Sequence, residues 1–187
     1  LFVMATLTAC HHQRKGVEGI AKNPPKKNES HAVKKIKPSE SIPSGSTNEV
    51  EQKLGVTKKE IHHSKLYSFV GEWYGTPYKY GGCQKNGVDC SCFASVLYTQ
   101  VYGASLARTA GDMYKQCDKI SMEEMREGDL LFFKINSNSI SHVGVFVKGD
   151  FFVHASSSKG VMLSSIKEAY YQKYFYCAGR IRKDIKP

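Results

Sequence analysis

From Leu130 onward the sequence is a succession of short apolar segments separated by turn residues. Leu130–Phe133 (introduced by Gly128-Asp129), Val143–Val147, Phe151–Ala155, Val161–Ser164 and Cys177–Arg182 each have the length and content of a strand. Helical patterns come before them. Ile61, Leu66, Phe69, Val70 and Trp73 recur at roughly helical spacing within Glu60–Tyr74, until Gly75-Thr76-Pro77 stops the pattern. Gly81-Gly82 and Asn86-Gly87 then mark a loop. A second helix is predicted over Cys90–Tyr102, with Asp89 as its N-cap and Gly103 as its terminator. Its inner face is Phe93, Val96, Leu97 and Val101. Helices first and consecutive strands after argue for an α+β fold rather than alternating α/β. The expected architecture is N-terminal helices packed on a roughly five-stranded antiparallel sheet.

The first third of the chain is of another kind. The whole carries a formal net charge of +10. Between His11 and Lys65 stand twelve Lys/Arg against six Asp/Glu, with few large apolar residues and four prolines, Pro24, Pro25, Pro38 and Pro43. Such a segment buries too little surface to offset its chain entropy, so 11–57 is expected to be a disordered basic tether and 58–187 the folded domain. The tether reads as a solubilising linker, and its charge also suits an anionic membrane or wall surface. No aromatic interleaving or nucleic-acid motif accompanies the lysines, so no nucleic-acid partner is expected.

Leu1–Ala9 is a short apolar run closing in small residues, and Leu7-Thr8-Ala9-Cys10 resembles the lipobox of bacterial lipoproteins. Residues 1–10 are therefore expected to be a truncated export signal, and Cys10 the lipidated residue that holds the protein on a membrane. Nine residues are too few to span a bilayer. Export implies an oxidising compartment. The five further cysteines, Cys83, Cys90, Cys92, Cys117 and Cys177, are an odd number, which leaves at least one thiol free. The other four allow three pairings that sequence does not separate.

Cys90 stands where a helix begins, and the positive end of the peptide dipole there favours a thiolate. A nucleophilic thiol needs a base near neutral pH, and beyond the first helix the sequence holds only two histidines, His142 and His154. They lie on the two arms of the expected hairpin. Side chains alternate along strands, so both rings share a face only if the connecting loop holds an odd number of residues. A three-residue loop Lys148-Gly149-Asp150 sets His154 across from Gly144 and diagonal to His142, whereas a two-residue loop would place the rings on opposite faces. Cys90, His142 and His154 then form a nucleophile, base and orienter. Two blander readings stand beside this one. A buried Cys and two strand histidines serve structure in many proteins. Cys90-x-Cys92 with two histidines also suggests a zinc set, but residues i and i+2 of a helix diverge by about 200°, which suits joint ligation poorly.

Six segments in order carry a resemblance: Thr76–Gly82, Gly87-Val-Asp-Cys-Ser91, Arg108-Thr109, Glu127–Phe133, Ser141–Phe146 and Val153-His-Ala-Ser156. Together they resemble the NlpC-type cell-wall cysteine peptidases of bacteria, papain-like enzymes, over about residues 60–183. The stretch from Ser164 through Tyr171 to Arg180 is most similar to the single-domain lipoproteins of that family. The resemblance implies Cys90 as nucleophile, His142 as general base and His154 as the polar third residue. It gives Tyr78 as the phenol that helps hold the oxyanion with the Cys90 N–H. Asp89 and Ser91 take the place of residues that recognise the substrate's amino end, and Arg108 that of one serving a substrate carboxylate or an internal ion pair. The chain departs from the family pattern at Cys92, where Gly is usual, at Ala107, where Pro is usual, and at Cys83, in a variable loop.

The implied activity is hydrolysis of a peptidoglycan stem-peptide amide, between D-glutamate and a diamino acid or at a D-alanyl crosslink. The implied enzyme needs no metal or cofactor. It is a monomer in the cell envelope, lipid-anchored at the outer membrane and facing the periplasm. A catalytically silent wall-binding lipoprotein and a thiol acyltransferase or amidase are the competing uses of the fold.

Overall fold

The computed structural model describes residues 50–55 and 63–182. The expected signal, Cys10 and most of the expected tether lie outside these residues. Residues 50–54 form a helical turn whose Val50 is fully buried in the main core, so the packed unit includes residues ahead of Lys58.

Helix α1, Ser64–Trp73, buries Leu66, Phe69, Val70 and Trp73, the apolar positions its spacing marks out. Two short strands, β1 (Cys83–Gln84) and β2 (Gly87–Val88), pair as a small hairpin. Helix α2, Cys90–Leu97, starts at Asp89, whose carboxylate accepts the N–H of Cys92 at 2.7 Å. The helix ends sooner than expected. Tyr98–Tyr102 widens into a π-turn closed by Gly103 at φ 67°, and Phe93 and Leu97 are fully buried whereas Val96 and Val101 are only partly so. Helix α3, Ala110–Lys115, is capped by the Thr109 hydroxyl.

Among the described residues the main sheet contains six strands: β3 (Cys117–Ile120), β4 (Leu130–Phe133), β5 (His142–Lys148), β6 (Phe151–Ser156), β7 (Gly160–Ser165) and β8 (Phe175–Ile181). The order is β3-β8-β4-β5-β6-β7, and every neighbouring pair is antiparallel. Five strands were expected. The sixth, β3, is an edge strand with exposed Asp118 and Lys119, whose sequence lacks the apolar run that marks the others. Helix α4, Ala169–Tyr174, lies between β7 and β8.

Strand alternation divides the core in two. Leu130, Phe132, Val143, Val145, Val147, Val153 and Ala155 join the α1 and α2 side chains in one cluster. Leu131, Phe133, Phe146 and Phe152 point the other way and join Ile166 and Tyr171 in a second. This division decides where the histidines go.

Candidate active site

The β5–β6 hairpin reaches the expected parity by another route. Lys148 pairs with Phe151, leaving the two-residue loop Gly149-Asp150, and a bulge between Phe146 and Lys148 supplies the extra residue. Below the bulge Val145 pairs with Val153, a register that carries on to set Gly144 across from His154. Gly144 has a steric task here, since a Cβ on it would lie 2.5 Å from Cδ2 of Phe152. Both histidines accordingly share the Phe152 face. Nε2 of His142 lies 2.9 Å from Nδ1 of His154, and the rings meet at 88°. Phe133 packs on His142, and Phe152 and Tyr171 pack on His154.

Cys90 opens α2, and its thiol is free. Its sulfur sits at the end of β5, where it receives the backbone N–H of Val143, the residue after His142. Burial pushes the Cys90 thiol up from its ordinary value, and the Asp89 carboxylate adds to this, while the N–H groups of Val143, Ser91 and Cys90 pull it down. The helix start therefore does not by itself produce a thiolate. Burial likewise lowers His142 to about 4. It drives His154 well below its ordinary range, and the charge of His142 pushes in the same direction. At neutral pH the resting groups are thiol and neutral imidazole.

Tyr78 bridges to Val88 in parallel fashion, beside the helix start. Burial raises its phenol, and the neighbouring Cys90 and Asp89 raise it further, so it stays protonated and able to donate a hydrogen bond. Asp89 does more than cap. Its oxygens accept Gly81 N–H at 3.0 Å, Ser91 Oγ at 2.8 Å, and both terminal nitrogens of Arg108, at 3.2 and 2.6 Å. Arg108 also donates to Ser91 Oγ at 2.9 Å. Burial by itself would raise the Asp89 carboxyl, but the Arg108 guanidinium and the N–H and O–H donors hold it below the usual range. The structure thus brings Asp89, Ser91 and Arg108 into one network, with the Arg108 side chain still half exposed.

Two features escaped the sequence. Cys83 and Cys92 form a disulfide, tying β1 to the helix that carries Cys90. With Cys92 in that bond, Cys90-x-Cys92 is not a metal-ligand pair. The second is the shell behind His154, whose Nε2 lies 3.2 Å from Ser164 Oγ and 3.1 Å from Tyr171 Oη. Ser164 was legible in principle. It is a polar residue at the end of an apolar strand, on the face shared with Phe152 and His154.

The chain is 38% identical over 116 residues to the probable endopeptidase NlpC homolog of Haemophilus influenzae, covering 62% of this chain and 61% of the relative. It is 43% identical over 110 residues to the probable endopeptidase NlpC of Escherichia coli, covering 58% and 71%. It is 34% identical over 118 residues to the Escherichia coli murein DD-endopeptidase MepS/murein LD-carboxypeptidase, covering 63% and 62%. The chain thus spans roughly three fifths to seven tenths of these relatives. A lipoprotein-like NLP/P60 structure from Staphylococcus aureus superposes with a TM-score of 0.57 at 29% identity, over 67% of this chain and 42% of that one. The NlpC/P60 family description itself matches residues 75–180, more than half of the sequence. The chain belongs to the NlpC/P60 family.

Proposed function

We propose that the protein is a cysteine peptidase that hydrolyses an amide bond in peptidoglycan stem peptides; two of the relatives above are named probable endopeptidases and one a murein DD-endopeptidase. The observation that carries this reading is the free Cys90 thiol at a helix start, beside a strand end whose His142 is oriented by His154. Nε2 of His142 is committed to His154, so Nδ1 is the nitrogen that serves the thiol. As the sulfur attacks the substrate carbonyl, its proton passes to Nδ1. The oxyanion is met by the Cys90 N–H and the Tyr78 hydroxyl. Collapse breaks the C–N bond, the leaving amine takes the proton from His142, and a thioester remains on Cys90. Water then gives a proton to His142 and attacks the thioester, releasing the carboxylate and restoring the thiol. Asp89, Ser91 and Arg108 form the polar wall on which the substrate's amino end and carboxylate are received.

Cys10 is proposed as the lipidated anchor, on the strength of Leu7-Thr8-Ala9-Cys10, placing the protein in the cell envelope at the outer membrane. Among the described residues no helix is long and apolar enough to cross a membrane.

Digestion of purified sacculi by the wild-type protein and by Cys90→Ala, followed by mass spectrometry of the fragments, tests the activity. New amino ends in the wild-type digest alone support it, and their masses identify the bond. Equal products from both proteins contradict it, and inhibition by a chelator points to metal chemistry instead.

A further inference from the structure

Behind His154 the chain of polar atoms continues past the expected triad. Nε2 of His154 faces two hydroxyls, and these face each other, Ser164 Oγ donating to Tyr171 Oη at 3.3 Å. Three strands and a helix supply the members: His142 from β5, His154 from β6, Ser164 from β7 and Tyr171 from α4. All are buried, His154 and Ser164 almost completely at 1% and 2% exposed, Tyr171 and His142 at 8% and 9%. Around a nitrogen as buried as His154 Nε2 the donors and acceptors must match one another.

Two assignments satisfy these contacts. In the first, Ser164 gives its proton to Tyr171, its oxygen accepts from His154 Nε2, and Nε2 carries the hydrogen. A neutral imidazole has one N–H, which leaves Nδ1 of His154 as a lone pair. That lone pair lies 2.9 Å from His142 Nε2, which must then be the protonated nitrogen. Nδ1 of His142 is left unprotonated. This is the form a base needs in order to accept the thiol proton. In the second, the Tyr171 hydroxyl donates to His154 Nε2, every hydrogen runs the other way and His142 Nδ1 is already occupied; only the first leaves a base for the thiol.

We propose that Ser164 and Tyr171 are positioning residues which fix the tautomer of His154, and through it that of His142, so that Nδ1 of His142 is free to take the proton of Cys90. The inference rests on His142 acting as the base, as proposed above. Tyr171 also packs on Phe133 and Phe152, so a purely structural role is the competing explanation, and Tyr171→Phe keeps that ring in place.

The test is to assign the imidazole nitrogens of His142 and His154 by long-range ¹⁵N–¹H NMR in the wild type, in Ser164→Ala, in Tyr171→Phe and in the double variant, alongside kcat and KM on a stem-peptide substrate. The wild type is expected to show both rings protonated at Nε2. The double variant is expected to lose that preference in both rings, with kcat falling by roughly 10²-fold or more and KM changing little. Wild-type protonation of His142 at Nδ1 overturns the proposal without any variant. Unchanged tautomers and kcat in a folded double variant also overturn it, as does a loss of kcat with the tautomers intact. Full activity in His142→Ala would instead overturn the catalytic reading, so the two failures are distinguishable.

Discussion

Cys83 in β1 and Cys92 in α2 are joined by a disulfide across nine residues, with their Cα atoms 5.4 Å apart. The bond fastens the small hairpin to the helix that carries Cys90. Just ahead of the hairpin, the Gly81 N–H is bonded to Asp89. Closing a loop of this size removes chain entropy from the unfolded state worth about 2–3 kcal/mol. Cys83→Ser/Cys92→Ser, or reduction of the native protein, should lower stability by about that amount in urea unfolding, and hydrolysis should weaken as the hairpin loosens. A urea midpoint indifferent to reductant would argue against this.

Asp89 accepts five hydrogen bonds, from Gly81, Ser91, Cys92 and two nitrogens of Arg108. Asp89→Asn replaces one acceptor oxygen by an amide donor facing a guanidinium. It should cost about 1–3 kcal/mol in thermal or urea unfolding. Arg108→Ala should cost less, because half of that side chain is in water and its ion pair is screened.

Stability should also carry the signature of the two buried histidines. His142 titrates near 4 in the folded protein against 6.5 ordinarily, and His154 is displaced in the same direction. As pH falls below 6.5 the unfolded chain binds protons at these rings and the folded one does not. The contribution of His142 is therefore fully present above pH 6.5 and is lost between 6.5 and 4, on the order of 3 kcal/mol, and His154 adds to the decline in the same direction. Urea midpoints across that range, compared between wild type and His142→Gln, read it directly. The variant should show a shallower acid decline.

Tyr78→Phe should lower kcat by roughly 10²-fold, the loss expected from one oxyanion donor, with KM little altered. Steady-state kinetics on a soluble stem peptide separates this from a packing role, which would lower stability without that selective effect on kcat.

Much of the site was legible because each element is short and its periodicity is clear. Asp89 before an apolar helix predicts the cap, and alternation along two strands lets His142 and His154 meet if the connection between them has odd parity. The hairpin shows where such reading stops. The parity was right but its source was a bulge at Val147 and a two-residue loop, because backbone irregularities leave no mark in side-chain pattern. β3 escaped because an edge strand with polar Asp118 and Lys119 needs no apolar alternation. The cysteine pairing escaped because partners nine residues apart are chosen by the path of a loop, and the π-turn at Tyr98–Tyr102 reads in sequence as ordinary helix.

The central claim is that Cys90 is the nucleophile and that His142 activates it. A stem-peptide vinyl sulfone, which alkylates only a thiol held at the scissile position, tests this with peptide mapping by mass spectrometry. Among the described residues three free thiols compete for it: Cys90, Cys117 and Cys177. The account predicts a single adduct on Cys90, formed far more slowly in His142→Ala. An adduct on Cys117 or Cys177 with Cys90 unmodified, or equal labelling of Cys90 in His142→Ala, would contradict it.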